Sequence, residues 1–152
     1  MANKTPPDFP HLLVAPGANV LTLDTLHRIC VQQQGTDRRK QLWSGFAALY
    51  KRFLDAGLFG LDLWVNGSFM TVVPTPQHVD CVLWVPQSHI DHCTDSQYNE
   101  LWQLRDEAAI KSKYGVKLCV QPPDSPNNDF WTSHFSTARD GITLKGFARL
   151  AL

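Results

Sequence analysis

The sequence predicts a single α/β (α+β) domain, a mixed sheet with helices packed on it, and three observations predict this class. The chain has 152 residues and is 43% hydrophobic, which suits one domain with a sizeable core. Residues 37–57 place apolar side chains at helical spacing. Residues 79–85 form a near-continuous apolar run, as expected for a strand that is covered on both faces. The predicted order of elements is αα-β-β-α-β-α-β.

The charge balance argues against one class of function. The chain carries 14 Lys and Arg against 14 Asp and Glu, a formal net charge of zero. Dedicated nucleic-acid binders usually have a basic excess, so we do not expect nucleic acid as a partner. The aromatic and aliphatic content also excludes disorder as the main state.

The lack of a signal-peptide pattern and the spacing of the cysteines favour a cytoplasmic protein. Residues 1–20 are rich in proline and contain no apolar signal region. The apolar runs are far shorter than the roughly 20 residues needed to span a bilayer, so we expect no membrane association. The four cysteines form no C-x-x-C pair. We expect free thiols, buried at Cys30, Cys81 and Cys119, in a reducing compartment.

The first elements are an arm and a short helix. Residues 1–20 predict an extended, proline-punctuated arm, and residues 21–152 predict the domain itself. A helix begins after Thr22, whose side chain can accept a hydrogen bond from a free backbone amide. The polar residues 32–35, Gln-Gln-Gln-Gly, end it.

The second helix has the clearest pattern. Thr36 or Asp37 is a suitable N-cap, and Gly57 is well placed as the left-handed residue beyond the C-terminus. Its apolar residues at helical spacing are Leu42, Phe46, Leu49 and Phe53. Residues 38–40 (Arg-Arg-Lys) are basic, which the helix dipole disfavours in a first turn. Two interpretations stay open, a solvated basic edge or another role for these cations.

Strand signals follow the second helix. Residues 61–65 predict a strand that runs into the turn Asn66-Gly67-Ser68, and the apolar pattern continues to the Pro74-Thr75-Pro76 segment. Residues 79–85 predict the next strand, and residues 86–94 predict a loop.

The third helix begins at a capping box, because Thr94 and Gln97 have the required spacing. Its predicted buried side consists of Tyr98, Leu101, Trp102, Leu104 and Ala108. Residues 116–120 then predict a strand and residues 122–128 a loop. A short helix is predicted around Phe130, Trp131 and Phe135, and residues 141–152 predict the closing strand.

Residues 64–82 contain the most informative motif of the chain. They read Trp-Val-Asn-Gly-Ser-Phe-Met-Thr, then Pro74-x-Pro76, then Val79-Asp80-Cys81-Val82. This segment resembles the nucleotidyltransferase superfamily of the DNA polymerase β type. The chain looks most like small, uncharacterised prokaryotic and phage members with Gly-Ser-Phe-Val-Thr, Pro-x-Pro-x-Asp-hydrophobic-Asp and a closing Arg-x-Gly-x-x-Lys-Gly. The corresponding residues 139–146 read Arg-Asp-Gly-Ile-Thr-Leu-Lys-Gly here, one residue longer than that pattern. The resemblance covers roughly residues 12–152 and implies a nucleotidyltransferase-like fold.

The resemblance implies a nucleotide site. A Gly-Ser turn after a strand lets backbone amides approach a triphosphate, and the serine hydroxyl adds a donor. Gly67 and Ser68 would hold the triphosphate. Two carboxylates at i and i+2 on a strand share one face, and with a third from a neighbouring strand they would hold two magnesium ions.

The sequence departs from that pattern at two of the three expected acids. His78 stands at the first carboxylate position, so only Asp80 remains as a metal ligand. The neighbouring strand offers Lys117, which would repel a metal and could neutralise a phosphate. Magnesium prefers oxygen ligands, and a His–Asp pair is a poor substitute.

Other constellations are weaker. Arg139 and Lys145 could contact phosphate, cap backbone carbonyls or face water. A zinc site that joins His78 and Asp80 to residues 89–93 lacks ligand spacing, and the two groups lie roughly 20 Å apart along a strand. No local pattern supports a Cys–His hydrolase. The five tryptophans are interpreted as core residues rather than a base-stacking platform.

We therefore expect a catalytically degenerate nucleotidyltransferase-fold protein that binds and regulates a protein partner, as the resemblance implies for toxin–antitoxin or phage-defence modules. One alternative is an active nucleotidyltransferase with Mg²⁺ at Asp80 and His78 as a weak ligand or base, modifying a protein, an RNA or a small hydroxyl substrate. The other is a nucleotide sensor without chemistry. The predicted nucleotide-binding residues are Gly67, Ser68, Lys117, Arg139 and Lys145.

Overall fold

A five-stranded mixed sheet forms the centre of the domain. The computed structural model describes residues 9–13, 15–122, 127–138 and 143–152. The strands are β1 (Gly17–Val20), β2 (Asp62–Asn66), β3 (Val79–Trp84), β4 (Val116–Gln121) and β5 (Gly146–Ala151). They lie in the order β1-β5-β2-β3-β4. The outer pairs β1–β5 and β3–β4 are parallel, and the inner pairs are antiparallel, so the predicted mixed α/β class is confirmed.

Six α-helices are present in the described residues. They are α1 (Leu23–His27, extended by a π-helical turn), α2 (Asp37–Asp55), α3 (Gln87–His92), α4 (Asp95–Leu104), α5 (Glu107–Tyr114) and α6 (Asn127–Ser136). The predicted caps are confirmed, because Thr22 and Thr36 accept from backbone amides and Thr94 forms a capping box with Gln97. Gly57 has a φ of +75° just beyond α2, as predicted for a left-handed C-terminal residue. No described helix is both long and apolar enough to cross a membrane.

The two faces of the sheet are covered unequally. On β3, Cys81 and Leu83 face the main core, which includes Phe46 and Phe53 of α2. Alternation along the strand turns Val82 and Trp84 to the other face, where they join a smaller cluster with Phe135 of α6 and Phe147 of β5. The second face therefore carries α6 and leaves room for a cleft beside it.

Two predicted irregular segments contain regular structure. The predicted arm ends in β1, whose Gly17 lies opposite Gly146 and whose Val20 lies opposite Arg149 of β5. This pairing joins residues more than a hundred positions apart, so no local pattern could indicate it. The predicted loop 86–94 contains α3, which is only six residues long and too short to show a helical period.

The predicted third helix is two helices. α4 ends at Leu104, and Asp106 caps α5 by accepting a hydrogen bond from the Ala109 amide at 3.1 Å. The prediction of a buried side was wrong for Tyr98, Trp102 and Ala108. Tyr98 is 49% exposed and Trp102 is 63% exposed, because α4 buries only Leu101 and Leu104. Ala108 is exposed as well, because it belongs to α5, which buries Ile110 and Tyr114.

Parts of three predicted elements lie outside the described residues. These are residues 1–8 and 14 of the arm, 123–126 of the predicted loop and 139–142 before β5. The predicted closing strand is observed from Gly146, and the predicted short helix is α6.

Candidate ligand-binding cleft

Three polar side chains lie side by side where β2 ends and β3 and β4 begin. Asn66 lies opposite Asp80, and Asp80 lies opposite Lys117 in the next strand. Residues that are opposite each other in a sheet share a face, so all three lie on the face that carries α6. Gly67 follows β2 directly, and Ser68 begins a 3₁₀ turn that ends at Met70.

A cleft of about 1280 Å³ opens at this edge of the sheet. Its walls are the 3₁₀ turn, the loop that leads to β3, the start of α5 and one side of α6. The predicted site residues that line it are Gly67, Ser68, His78, Asp80, Lys117 and Lys145. Arg139 lies outside the described residues. The structure therefore brings together every predicted site residue that it describes.

Asp80 is paired within the cleft. Its Oδ1 lies 3.0 Å from Nε2 of His78, and the two side chains are 31% and 23% exposed, respectively. His78 and Asp80 are therefore neighbours, as their i and i+2 spacing predicts. The position where the resemblance expects a second carboxylate holds an imidazole against the first one.

The two lysines differ in their surroundings. Lys117 is exposed, and it makes no ion pair or hydrogen bond with any described residue. Lys145 is 9% exposed, and its amide donates to the Ser136 carbonyl at 2.8 Å. Lys117 is thus an available ammonium group beside the Asp80–His78 pair.

Arginines in the first turn of α2 donate hydrogen bonds to the segment 69–77, which lines part of the cleft. The sequence did not indicate this role. Arg39 is fully buried. Its guanidinium donates to four carbonyl oxygens, those of Cys30 (3.0 Å), Phe69 (2.7 Å), Thr71 and Val73 (2.8 Å). Burial lowers the pKa of Arg39, and Cys30 offsets part of this effect. A solvated edge is the wrong interpretation for this residue.

Arg38 also donates hydrogen bonds to backbone carbonyls of the segment that precedes β3. Its Nε donates to the Pro76 carbonyl at 3.0 Å, and its Nη2 donates to the Gln77 carbonyl. Both acceptors line the cleft just before His78. The only sequence signal for this role was the unfavourable placement of cations at a helix N-terminus.

Helix α6 forms an aromatic wall. Phe130 is 58% exposed and lines the cleft. His134, one turn later, stacks on it with ring centroids 5.5 Å apart and an interplanar angle of 8°. Trp131 and Phe135 also line the cleft. The sequence predicted this helix without assigning its aromatic residues to a site.

The residues present do not fit a two-metal site. Among the described residues, no group of three or more His, Cys, Asp or Glu side chains could hold a metal ion. Asp80 faces an imidazole at 3.0 Å and has Lys117 beside it in the sheet. Magnesium prefers several oxygen ligands in octahedral geometry, and this arrangement supplies one carboxylate. The described residues also contain no zinc cluster at positions 89–93.

The fold and the cleft define a mixed α/β domain with one candidate ligand site at a sheet edge. The chain belongs to DUF6932, a family of unknown function, whose family model matches residues 7–151. No curated protein and no solved structure matches the chain. The resemblance to nucleotidyltransferases stays a prediction.

Proposed function

We propose that the protein is a regulatory protein that binds a phosphate-bearing ligand, a nucleotide, in the cleft without transferring a nucleotidyl group. The observation that carries the proposal is the meeting of Gly67, Ser68 and Lys117 in one cleft. The Lys117 ammonium is unengaged within the described residues, and no hydrogen bond of the Ser68 hydroxyl is found there. A glycine turn, a hydroxyl donor and an available ammonium group are suited to a phosphate group.

Electrostatics favour binding over two-metal chemistry. Transfer through two metals needs carboxylates to hold both ions, and Lys117 would repel a cation placed at Asp80. The same ammonium group attracts the negative oxygens of a phosphate, because opposite charges at close range favour contact. Nε2 of His78 lies 3.0 Å from one oxygen of Asp80, so that oxygen faces an imidazole.

Calorimetry with ATP and with inorganic tripolyphosphate tests the proposal. We expect both to bind, and we expect Lys117→Ala to weaken both by about 10-fold or more, since a hydrogen bond to a charged group contributes about 1.5–3 kcal/mol. Lys111→Ala is the matched control, because Lys111 is an exposed lysine outside the cleft. If neither compound binds the wild-type protein at millimolar concentration, the proposal is wrong.

Active transfer is a second candidate function, because Glu107 lines the same cleft as Asp80 and His78, although these three described side chains do not form a group that could hold a metal ion. It is tested by incubating the protein and a cell lysate with labelled ATP, CTP, GTP and UTP in magnesium or manganese. Under our proposal no label is transferred. Transfer that Asp80→Ala abolishes would establish the enzyme instead.

The regulated partner is proposed to be a protein encoded nearby, as in a toxin–antitoxin or phage-defence module. An exposed Trp102 outside the cleft supports a protein surface, since tryptophan is enriched among residues that dominate interface energies. Co-expression with the neighbouring gene products tests this. We expect one of them to co-purify with the wild-type chain and to be lost with Trp102→Ala, whereas Lys111→Ala should retain it.

A further inference from the structure

We infer that α6 provides a stacking platform for the base of the nucleotide, with Phe130 as the contact surface and His134 as its support. The inference rests on the proposed function and names the part of the ligand that α6 binds. Phe130 is 58% exposed in the wall of a cleft, although burying a large apolar side chain would stabilise the protein. The His134 ring lies nearly parallel to the Phe130 ring with a centroid distance of 5.5 Å, so the two rings form one aromatic surface.

The platform is held in place by the inner side of the helix. Phe135 is 3% exposed and packs with Phe147 of β5 at a centroid distance of 5.6 Å. The side-chain amide of Asn66 donates to the Phe135 carbonyl at 3.3 Å, which joins the helix to the end of β2. Trp131 contacts the Phe130 ring edge-on at 5.4 Å and 74°. A ring fixed in this way loses little conformational freedom when a ligand stacks on it.

The polar and the aromatic residues that line the cleft together match one class of ligand. Lys117 and Ser68 offer a cation and a hydroxyl to an anionic group, whereas Phe130 offers a flat apolar surface to a planar ring. A nucleoside polyphosphate has both parts in one molecule. Every base has a π-face, so stacking on Phe130 tolerates different bases. The net charge of zero favours a mononucleotide over a nucleic-acid strand, which usually needs a basic surface.

The experiment compares ATP with tripolyphosphate, which has the phosphates and lacks the base. For Phe130→Ala and Phe130→Leu we expect ATP affinity to fall by about 5- to 150-fold, the range found for aromatic-to-alanine changes at stacked bases. Tripolyphosphate affinity should be unchanged in both variants. Phe130→Tyr keeps a ring and should retain ATP affinity. Phe59→Ala is the matched control, because Phe59 is 61% exposed and lies outside the cleft. Thermal unfolding followed by circular dichroism verifies that each variant is folded.

The outcomes separate the inference from the proposed function. If wild-type protein binds ATP and tripolyphosphate and Phe130→Ala weakens neither, the platform is wrong and the phosphate site stands. If neither compound binds, both proposals fall. If a single-stranded oligonucleotide binds the wild type more tightly than ATP, the assignment to a mononucleotide is overturned. A loss of ATP binding that Phe130→Tyr restores, with tripolyphosphate unaffected throughout, supports the platform.

Discussion

Gly67 lies so close to Asp80 that a Cβ atom on Gly67 would be 2.1 Å from Oδ2 of Asp80. Gly67 also has a φ of +87°, a conformation that side chains with a Cβ rarely adopt. The backbone conformation therefore favours glycine here, and a Cβ atom would in addition force the Asp80 side chain to move. The close approach places the backbone of the turn directly against the carboxylate of the cleft.

We predict that Gly67→Ala destabilises the protein and weakens ligand binding. Gly67 has a φ of +87° and a ψ of −166°, a backbone region open essentially only to glycine, so a side chain there costs about 1–3 kcal/mol. The contact with Asp80 adds to this cost. Gly60→Ala separates the two effects, because Gly60 has a φ of +78° with nothing within 4 Å of an added Cβ. Urea unfolding should show a larger loss for Gly67→Ala than for Gly60→Ala. Adding Asp80→Ala should recover part of the difference, and equal losses would contradict the close contact.

A second prediction concerns Arg39, whose guanidinium donates hydrogen bonds to backbone carbonyls of residues 69–73. Arg39→Met keeps an apolar stem and leaves buried carbonyl oxygens without donors, which costs about 1–3 kcal/mol for each such group. We expect the free energy of unfolding to fall by about 3 kcal/mol or more in urea titrations. Lys40→Met changes the exposed next residue of the same turn and should stay within about 0.5 kcal/mol of wild type. A similar loss in both variants would show that the buried hydrogen bonds are not the cause.

Local signals account for what the sequence predicted well. The caps at Thr22, Thr36 and Thr94 depend on neighbours three residues away, and the apolar run of β3 reports burial on both faces. The positions of Gly67 and Asp80 followed from a motif within one short segment. Each of these features is set by residues close together in the chain, so a sequence pattern can reveal it.

Features set by distant partners were not predictable. Arg39 is a buried cation only because carbonyl groups from two other segments converge on it. β1 exists because β5 offers an edge to a proline-flanked segment with no strand pattern. Trp102 is a large aromatic residue of the kind that usually packs in a core, yet it is exposed because the buried face of α4 consists of Leu101 and Leu104. The aromatic wall of the cleft likewise depends on where α6 packs on the sheet.

The third prediction separates binding from catalysis at Asp80. Asp80→Asn removes a negative charge from a cleft that we propose to bind phosphate, so tripolyphosphate affinity should rise by a few-fold at low salt. The rise should shrink as salt increases, because screening weakens the repulsion. Calorimetry at two ionic strengths measures it. Asp55→Asn, a change at an exposed residue outside the cleft, should alter neither value. Weaker tripolyphosphate binding by Asp80→Asn would mean that the carboxylate itself helps to hold the ligand.

The fourth prediction is that the thiols differ in reactivity. Burial raises the pKa of Cys30 from its ordinary value of 9.0 to about 12, and Arg39 offsets only part of this shift. Burial, with a smaller effect of Asp80, also raises the pKa of Cys81 well above 9.0. The thiolate is the reactive form, so native protein treated with a thiol reagent at pH 8 should be labelled first at the half-buried Cys93 and Cys119. Peptide mass spectrometry identifies the sites, and all four should react in denaturant. Early labelling of Cys30 would contradict the packing described.

The fifth prediction follows from the same shift at Cys30 and concerns stability in alkali. The thiol titrates near 9.0 in the unfolded chain and near 12 in the folded one. Above pH 9 the unfolded state therefore binds fewer protons, and the free energy of unfolding falls as pH rises through this range. Other groups titrate there too, so Cys30→Ala is the reference. The stability advantage of the wild-type chain over Cys30→Ala, measured by urea unfolding, should shrink between pH 8 and pH 11. A constant difference would show that Cys30 does not couple folding to pH.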